Sequence, residues 1–414
     1  MEPRQEATAL AEWRAHWPLA FATMLGVSTI GLQSYGFMPF AGAVEKAFGW
    51  SRADVMWGVT VAMFLGIFLN MIVGLIVDRF GSRRVAIIGL FTLTGTFALL
   101  GTASGTMTNW TLLWALLAVG VVLCQSTVWM PPLAARFDKS RGLAMALALS
   151  GAPLSLMLLP ALGTWLIGEI GWRQAFAAVG AIWLVAVLPM VLLFFRDARG
   201  PAPAGGKASP ALAHDGLTFR QGIRTRAFLG LIVSFGAFSF YNMTISTNLQ
   251  LMFTERGLTP MAAAGLLTVQ GMIGMAARLS VGFLLDRFPG HVIGTFTQVL
   301  PVLACGLLLL APPSYGLLLF AVFCFGLATG AEIDVALYLA TRHFGLKAFG
   351  ALFSGIITVG AMNAALGPYV AGWLHDRSGS YDSLLATIAV IMAVGAAGMF
   401  AVGRPKHAWR AGGH

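Results

Sequence analysis

Long apolar runs, each of about twenty residues or more, dominate the sequence, and short charged or Gly/Pro-containing turns separate them. A helix needs about 20 apolar residues to cross the roughly 30 Å hydrocarbon core of a bilayer, so each run predicts one transmembrane helix. Twelve such runs are present, at approximately 17–43, 53–77, 84–104, 110–135, 142–168, 174–195, 227–253, 261–285, 291–312, 315–341, 349–373 and 382–403.

Composition excludes a soluble fold of this length. Of the 414 residues, 58% are hydrophobic and only 10% are charged, and the mean hydropathy is +0.80. Soluble domains carry about 25% charged residues. An outer-membrane barrel would alternate apolar and polar side chains over about ten residues, which these continuous runs do not do. The sequence therefore predicts an all-α membrane protein with twelve transmembrane helices in two six-helix bundles.

A polar break divides the twelve runs into six and six. It contains GPAPAGGKASPALAHDG, whose composition is typical of a flexible linker. We expect an N-terminal bundle over 1-195, a cytoplasmic linker over 196-226 and a C-terminal bundle over 227-414. GLIVDRFGSRRV at 74–85 resembles GFLLDRFPGHVI at 282–293, and TWLIGEIG at 164–171 resembles GWLHDRSG at 372–379, both at an offset of 208. Parallel repeats of this kind predict a carrier with its site between the halves.

The basic residues predict the orientation. Twenty of the 26 Lys and Arg lie in the tails and in loops on one side, and five lie in the opposite loops. The positive-inside rule then predicts that both termini are cytoplasmic. The net charge of +10 follows from this topology and from the lipid bilayer as partner, so it does not indicate nucleic-acid binding. We expect a monomeric, multi-pass protein of a bacterial inner (plasma) membrane.

The sequence lacks motifs for enzymatic chemistry. Its three cysteines lie in apolar runs without a metal-ligand spacing, and no GxxxxGK[ST] phosphate loop is present. No pairing of a nucleophile with a base stands out either. We expect no enzymatic activity, no cofactor and no metal, and any transport is expected to be secondary.

The loop between the second and third spans carries a recognisable motif. It reads GLIVDRFGSRR over 74–84, which resembles the GxLaDrxGrr signature of the major facilitator superfamily, and 282–288 is a degenerate copy. An aspartate beside arginines can make charge-assisted bonds that close a cytoplasmic gate. The candidate gating residues are Asp78, Arg79, Arg83, Arg84, Asp286, Arg287, Arg136, Lys139 and Arg141.

A second motif, RFDKSRGLAMALALSG over 136–151, resembles the YFxKRRxLAxGxAxAG signature of the monocarboxylate transporter family. Matches fall at Phe137, Lys139, Arg141, Leu143, Ala144, Ala148 and Gly151, whereas Arg136 and Ala146 depart from it. Bacterial oxalate, formate and lactate carriers fit the same pattern. The resemblance implies a secondary active transporter of a small organic anion, a monocarboxylate moved by proton symport with alternating access.

Arg278 is the one basic residue inside a predicted span, the eighth. A buried arginine costs several kcal/mol unless it faces a cavity or a partner, so it is a functional candidate. The family resemblance implies that it anchors the carboxylate, and its planar fork can hold two oxygens. The family carries an aspartate one turn earlier, where this chain has Gly274.

Glu332 and Asp334 place two carboxylates in the tenth span. Asp334 and Arg278 each lie eight residues, or ~12 Å, before a charged residue at the same membrane face, so they are expected at matching depth. The two acids are about 200° apart around the helix. We therefore favour Asp334 as the partner of Arg278, with Tyr338 one turn below, and Glu332 turned toward a neighbouring helix.

Two interpretations of the Arg278–Asp334 pair remain open. The pair can be a permanent tie between the eighth and tenth helices. Alternatively, protonation of Asp334 or Glu332 releases Arg278 for an anionic substrate, and a proton with a monocarboxylate crosses the membrane without net charge.

Polar residues of other spans complete the expected pocket. The candidates beside Arg278 and Tyr338 are Gln33, Tyr35, Gln125, Tyr241, Asn242, Asn248, Gln270 and Asn363. Alternative functions are an exchanger of organic anions of the dicarboxylate or oxalate/formate type, and a carrier of a cationic or zwitterionic substrate. A dicarboxylate carrier is expected to have a second buried cation in the eleventh span, which this sequence lacks.

Overall fold

The computed structural model describes residues 9–137, 139–197, 216–311, 314–345 and 347–405, except for the side chains of Ala9 and Asp286. The N-terminal half contains helices α1 (Ala9–Ser28), α2 (Ala41–Phe48), α3 (Arg52–Phe80), α4 (Ser82–Leu99), α5 (Met107–Leu123), α6 (Ser126–Ala134), α7 (Arg141–Leu149), α8 (Gly151–Ile170) and α9 (Trp172–Phe194). The C-terminal half contains α10 (Phe219–Gly222), α11 (Arg226–Glu255), α12 (Pro260–Arg287), α13 (Gly290–Leu310), α14 (Tyr315–Phe344), α15 (Phe349–Ser378) and α16 (Asp382–Val402).

The predicted fold class is confirmed: the protein is all-α, with twelve membrane-crossing segments in two six-helix bundles. In the described part of the chain, eleven helical segments are long and apolar enough to cross a membrane. The first crossing is interrupted, since α1 and α2 are joined by two 3-10 turns, Thr29–Leu32 and Met38–Phe40. This interruption was not expected from the continuous run at 17–43.

The fourth and fifth crossings also break, each where a helix carbonyl finds another donor. The fourth breaks between α5 and α6, and the indole of Trp129 donates to the Cys124 carbonyl at 2.9 Å. The fifth breaks at Ser150, between α7 and α8. Pro153 has no N–H, so the carbonyl of Leu149, four residues earlier, lacks its usual helical donor. That free carbonyl faces the site described below.

In the described chain, two helix pairs make the most extensive contacts between the halves. The second crossing, α3, packs against the eleventh, α15, and the fifth, α8, packs against the eighth, α12. Glycines allow the close approach: a Cβ on Gly372 would lie 2.6 Å from the Ala53 nitrogen, and one on Gly271 would lie 2.5 Å from Cγ of Met157. The two pairs are equivalent under the internal repeat, and they enclose the space between the bundles.

The segment between the halves is described only at its ends, since residues 198–215 lie outside the described chain. At its C-terminal end, the Leu217 nitrogen donates to the Phe344 carbonyl at 2.8 Å. We call the side of the molecule that carries this segment the linker face. The other side, where α3 begins and α11 ends, is called the opposite face. The predicted domain boundaries stay a prediction.

Candidate functional site

A central cavity of about 210 Å³ lies between the two halves. The first, fourth and fifth crossings line it from the N-terminal half, and α11, α12 and α14 line it from the C-terminal half. Most of its wall is apolar. The polar side chains that line it are Tyr35, Ser126, Asn242, Gln270, Arg278 and Thr329.

Arg278 is the cation of this cavity, and its side chain is only 8% exposed. Its Nη1 donates to the Leu149 carbonyl at 3.0 Å, the same carbonyl that Pro153 leaves without a helical donor. The residue thus links α12 of one half to α7 of the other. A guanidinium has five N–H donors, so several remain for a ligand.

Asp334 approaches Arg278 without a full hydrogen bond. Its Oδ2 lies 3.7 Å from Nε of Arg278, and its side chain is about one-third exposed, at 32%. Neither of these two atoms has a hydrogen-bond partner in the described chain. The pair is therefore loose, unlike a bidentate arginine–carboxylate pair with two short parallel bonds.

Glu332 points away from the cavity, into the C-terminal half. Its Oε1 accepts from Nε2 of Gln298 at 2.6 Å, and its Oε2 accepts from Oγ1 of Thr297 at 3.2 Å. Ser234 adds a longer contact of 3.4 Å from α11. The two acids of α14 therefore lie in different surroundings, as expected from their angle around the helix.

Four of the ten predicted pocket residues line the cavity: Tyr35, Asn242, Gln270 and Arg278. The hydroxyl of Tyr241 instead donates to the Phe325 carbonyl at 3.3 Å, and Asn363 donates to the Val359 carbonyl of its own helix at 2.9 Å. Tyr338 lies beneath the Arg342 guanidinium, 5.4 Å from its ring centroid. The predicted residues that do not line the cavity are Gln33, Gln125, Tyr241, Asn248, Tyr338 and Asn363.

Two of the residues predicted to gate the linker face, Arg83 and Arg136, bind the end of α9 and the residues that follow it. Arg83 donates to the Leu192 carbonyl at 2.7 Å and, through its backbone nitrogen, to Asp197 at 3.0 Å. Arg136 donates to the carbonyls of Arg196 and Asp197 at 2.6 and 2.9 Å. In this conformation Arg83 and Arg136 both bind the chain at the end of α9.

The other predicted gating residues lie on the linker face. The backbone nitrogen of Lys139 donates to Glu12 of α1 at 3.0 Å. The side chain of Asp286 lies outside the described residues. Exposed side chains on this face are those of Asp78, Arg79, Arg84, Arg141 and Arg287. A gating role for this set stays a prediction.

A group of hydrogen bonds that we did not predict joins the halves at the opposite face. Arg52, at the start of α3, is 8% exposed. Its Nη1 donates to Glu255 of α11 and to the hydroxyl of Tyr381, both at 2.8 Å, and its Nη2 donates to Glu45 at 2.9 Å. Two of these contacts cross between the halves. We call Arg52 with these three partners the Arg52 cluster.

Neighbouring groups extend the Arg52 cluster. The Asp376 carboxylate accepts from the backbone nitrogens of Arg52 and Ala53 at 3.0 and 2.9 Å, so one half caps a helix of the other. Burial raises the pKa of Tyr381, so its hydroxyl stays protonated and donates to Asn248 at 3.2 Å. The sequence signal was a set of acidic residues, Glu45, Glu255 and Asp376, near the ends of spans on the charge-poor side.

A larger outer cavity, of about 1170 Å³, borders the Arg52 cluster. Polar contacts between the halves lie along the same interface, and the one from Gln250 to Thr164 is on the wall of the outer cavity. Nε2 of Gln250 donates to Thr164 at 2.7 Å, and Oγ1 of Thr268 donates to the Met157 carbonyl at 2.8 Å. Two cavities along the interface between two repeated halves are the arrangement expected of a membrane carrier.

The family comparison agrees with this class. The sequence profile described as "Major Facilitator Superfamily" matches residues 23–368. The chain belongs to the major facilitator superfamily, and it is a multi-pass membrane transporter.

Several known proteins are similar over most of the chain. Monocarboxylate transporter 13 of Bos taurus is 25% identical over 375 residues, which cover 88% of this chain and 83% of that protein. The 3-(3-hydroxy-phenyl)propionate transporter of Escherichia coli (strain K12) is 27% identical over 379 residues, covering 89% of each. A bacterial homologue of the human lysosomal transporter Spinster, crystallised in an inward-facing and occupied conformation, shares the fold with a TM-score of 0.72 at 15% identity, covering 94% of this chain and 97% of that one.

Proposed function

We propose that this protein carries a monocarboxylate across the membrane by proton symport, with the substrate carboxylate held by Arg278. The observation that carries the proposal is the position of Arg278, buried at 8% exposure in a cavity between the two halves. A buried cation at such a position needs an anionic partner. Its loose contact with Asp334, at 3.7 Å, leaves that place available to a substrate.

The cavity supports a small substrate with one acidic group. Its volume of about 210 Å³ is below the range of about 300–1,000 Å³ typical of sites for drug-sized ligands. Apolar side chains form most of its wall, and Arg278 is the cation among its described lining residues. Two of the relatives are a monocarboxylate transporter and a 3-(3-hydroxy-phenyl)propionate transporter, and 3-(3-hydroxy-phenyl)propionate is itself a monocarboxylate.

Asp334 is our candidate for the coupled proton. A proton on Asp334 removes the negative charge beside Arg278, so the guanidinium can pair with the substrate carboxylate instead. The loaded site then has the same net charge as the empty site with Asp334 ionised. Because a net charge is costly to move through a bilayer, this exchange of partners allows the loaded carrier to change conformation.

The two alternative functions have less support. A dicarboxylate exchanger is expected to place a second cation in the cavity, and the described lining residues include only Arg278. A carrier of cations would need an acid at the cavity without a cation beside it, whereas Asp334 faces Arg278 at 3.7 Å and Glu332 is hydrogen-bonded to Gln298 and Thr297 inside the C-terminal half. The alternative mechanism that the experiment must distinguish from symport is exchange of one monocarboxylate for another.

The test is uptake of labelled monocarboxylates into proteoliposomes, with and without an inward proton gradient. The panel includes lactate, 3-phenylpropionate and 3-(3-hydroxyphenyl)propionate. We expect gradient-stimulated uptake in the native protein and a loss of at least about 100-fold in Arg278→Ala, since two charge-assisted hydrogen bonds to the carboxylate are removed. Arg278→Lys keeps the charge but not the fork, so it is expected to be only partly active.

Two results would contradict the proposal. Normal uptake by Arg278→Ala would show that Arg278 is a structural tie between α12 and its neighbours. Uptake that requires an anion on the far side and ignores the proton gradient would identify an exchanger. Arg173→Ala is a suitable control because Arg173 is bound to the Gly101 and Ala103 carbonyls, within the N-terminal half.

A further inference from the structure

Gln270 is a buried glutamine of the central cavity whose side chain has no hydrogen-bond partner in the described chain. It lines the cavity and is only 4% exposed, yet its side chain makes no hydrogen bond within the described chain. Its Oε1 is fully buried without a partner. A buried amide without a partner is costly, so nearly all such groups in native structures are hydrogen-bonded. A second amide, Asn242, lines the same cavity. The Gln270 amide thus borders the cavity with hydrogen-bonding capacity that the described chain does not use.

Gln270 and Arg278 lie at the two ends of the stretch of α12 that lines the cavity. They are eight residues apart, which is about 12 Å of helix rise, with Gly274 midway between them. Positions spaced by four lie on one side of a helix, and Gly274 also lines the cavity. Gly274 contributes only backbone to this part of the cavity wall, and a Cβ there would lie 3.4 Å from the Gly326 carbonyl oxygen of α14. Apolar side chains, among them Phe238 and Leu156, face the same space.

We infer that the preferred substrates carry a hydroxyl group at the end of the molecule remote from the carboxylate, and that Gln270 selects for this hydroxyl. The inference rests on the proposed function, since it takes Arg278 as the carboxylate anchor. A hydroxyl both donates and accepts, so it matches a carboxamide in either orientation. The carbon body lies over Gly274. An acid such as lactate, with its hydroxyl next to the carboxylate, is too short to reach both residues.

This arrangement predicts that the protein binds a hydroxylated acid more tightly than the same acid without the hydroxyl, because the second leaves the buried Gln270 amide unpaired. Sites that hydrogen-bond a substrate hydroxyl reject the analogue lacking it far more strongly than apolar pockets reject an extra group. We expect the native protein to bind 3-(3-hydroxyphenyl)propionate about 10- to 100-fold more tightly than 3-phenylpropionate. The two acids differ by a single hydroxyl.

The test measures the dissociation constants of both acids for the purified full-length protein in nanodiscs, by calorimetry. In Gln270→Met, which keeps the length of the side chain and removes its polar atoms, the ratio of the two constants is expected to fall to near one. The fall is expected to come from weaker binding of the hydroxylated acid. Gln33→Met is the matched control: Gln33 is also a buried glutamine with an unpaired amide nitrogen, but it lines neither cavity.

The outcomes separate this inference from the proposed function. If both acids bind through Arg278 but with equal affinity, or if the ratio survives Gln270→Met, selection by Gln270 is refuted and the carboxylate anchor stands. If the ratio falls equally in Gln33→Met, the effect is general and the inference is also refuted. If no monocarboxylate of the panel binds, the proposed function fails and this inference fails with it.

Discussion

Removing the Arg52 guanidinium is expected to open the carrier at the opposite face. Arg52→Ala deletes two contacts between the halves, the hydrogen bonds from Nη1 to Glu255 and to the Tyr381 hydroxyl, both at 2.8 Å. It leaves the capping bonds from the Arg52 and Ala53 backbone nitrogens to Asp376 in place. The bond to Glu45 is also lost, but Glu45 is in the same half and does not affect closure directly.

The magnitude follows from the exposure of the partners. The side chain of Glu255 is 35% exposed, so after screening by solvent its ion pair contributes about 1 kcal/mol. Tyr381 is 3% exposed, and its hydrogen bond to a charged donor contributes about 1 kcal/mol more. The closed state at this face thus loses about 2 kcal/mol relative to the open state. A tenfold change corresponds to 1.36 kcal/mol, so the equilibrium shifts about 30-fold.

The assay is labelling of a single reporter cysteine by a membrane-impermeant maleimide. Ile30→Cys places the thiol on the wall of the central cavity. The native cysteines Cys124, Cys305 and Cys324 are buried, so the protein without the reporter supplies the background. Reagent is added from one membrane face at a time, in vesicles of each orientation. Arg52→Ala is expected to raise the labelling rate from the opposite face up to about 30-fold.

Arg173→Ala is the matched control, since Arg173 lies on the same face but binds carbonyls of its own half at 3.0 and 2.9 Å. It is expected to leave the labelling rate unchanged. If Arg52→Ala folds normally and its labelling from the opposite face stays at the native rate, the Arg52 cluster does not hold this face closed. An equal increase in both variants would point to general loosening of the bundle.

Two further predictions concern α14. In Asp334→Asn, an inward proton gradient is expected no longer to stimulate uptake, because the amide cannot ionise, while counterflow of the labelled acid persists. If the gradient still stimulates uptake in this variant, Asp334 does not carry the coupled proton. Gly330→Val is expected to lower the melting temperature in detergent, because a Cβ at this position would overlap the Gly274 backbone oxygen and overpacking costs about 1–3 kcal/mol or more. Gly350→Val is the control, since no atom lies within 4 Å of a Cβ there, and equal melting of the two variants would contradict the packing argument.

The sequence by itself determined the fold class and the most important side chain. Twelve apolar runs follow directly from the thickness of the bilayer, and the repeat at an offset of 208 relates the two halves. Arg278 stood out because a charge in an apolar run is rare and costly. Helix geometry alone separated the directions of Glu332 and Asp334. These features depend on distances along one segment, which the chain order specifies.

Only the tertiary structure decided which polar groups meet. The Arg52 cluster joins Arg52 to Glu255, about two hundred residues away, and no local pattern encodes that distance. The same limit applies to the Leu149 carbonyl, which Pro153 leaves free and which Arg278 of the other half then binds. Tyr241 and Asn363 look like pocket residues in sequence, yet they bond to helix carbonyls elsewhere. A polar residue in a membrane helix must find some partner, and packing between helices determines whether that partner is the protein or a ligand.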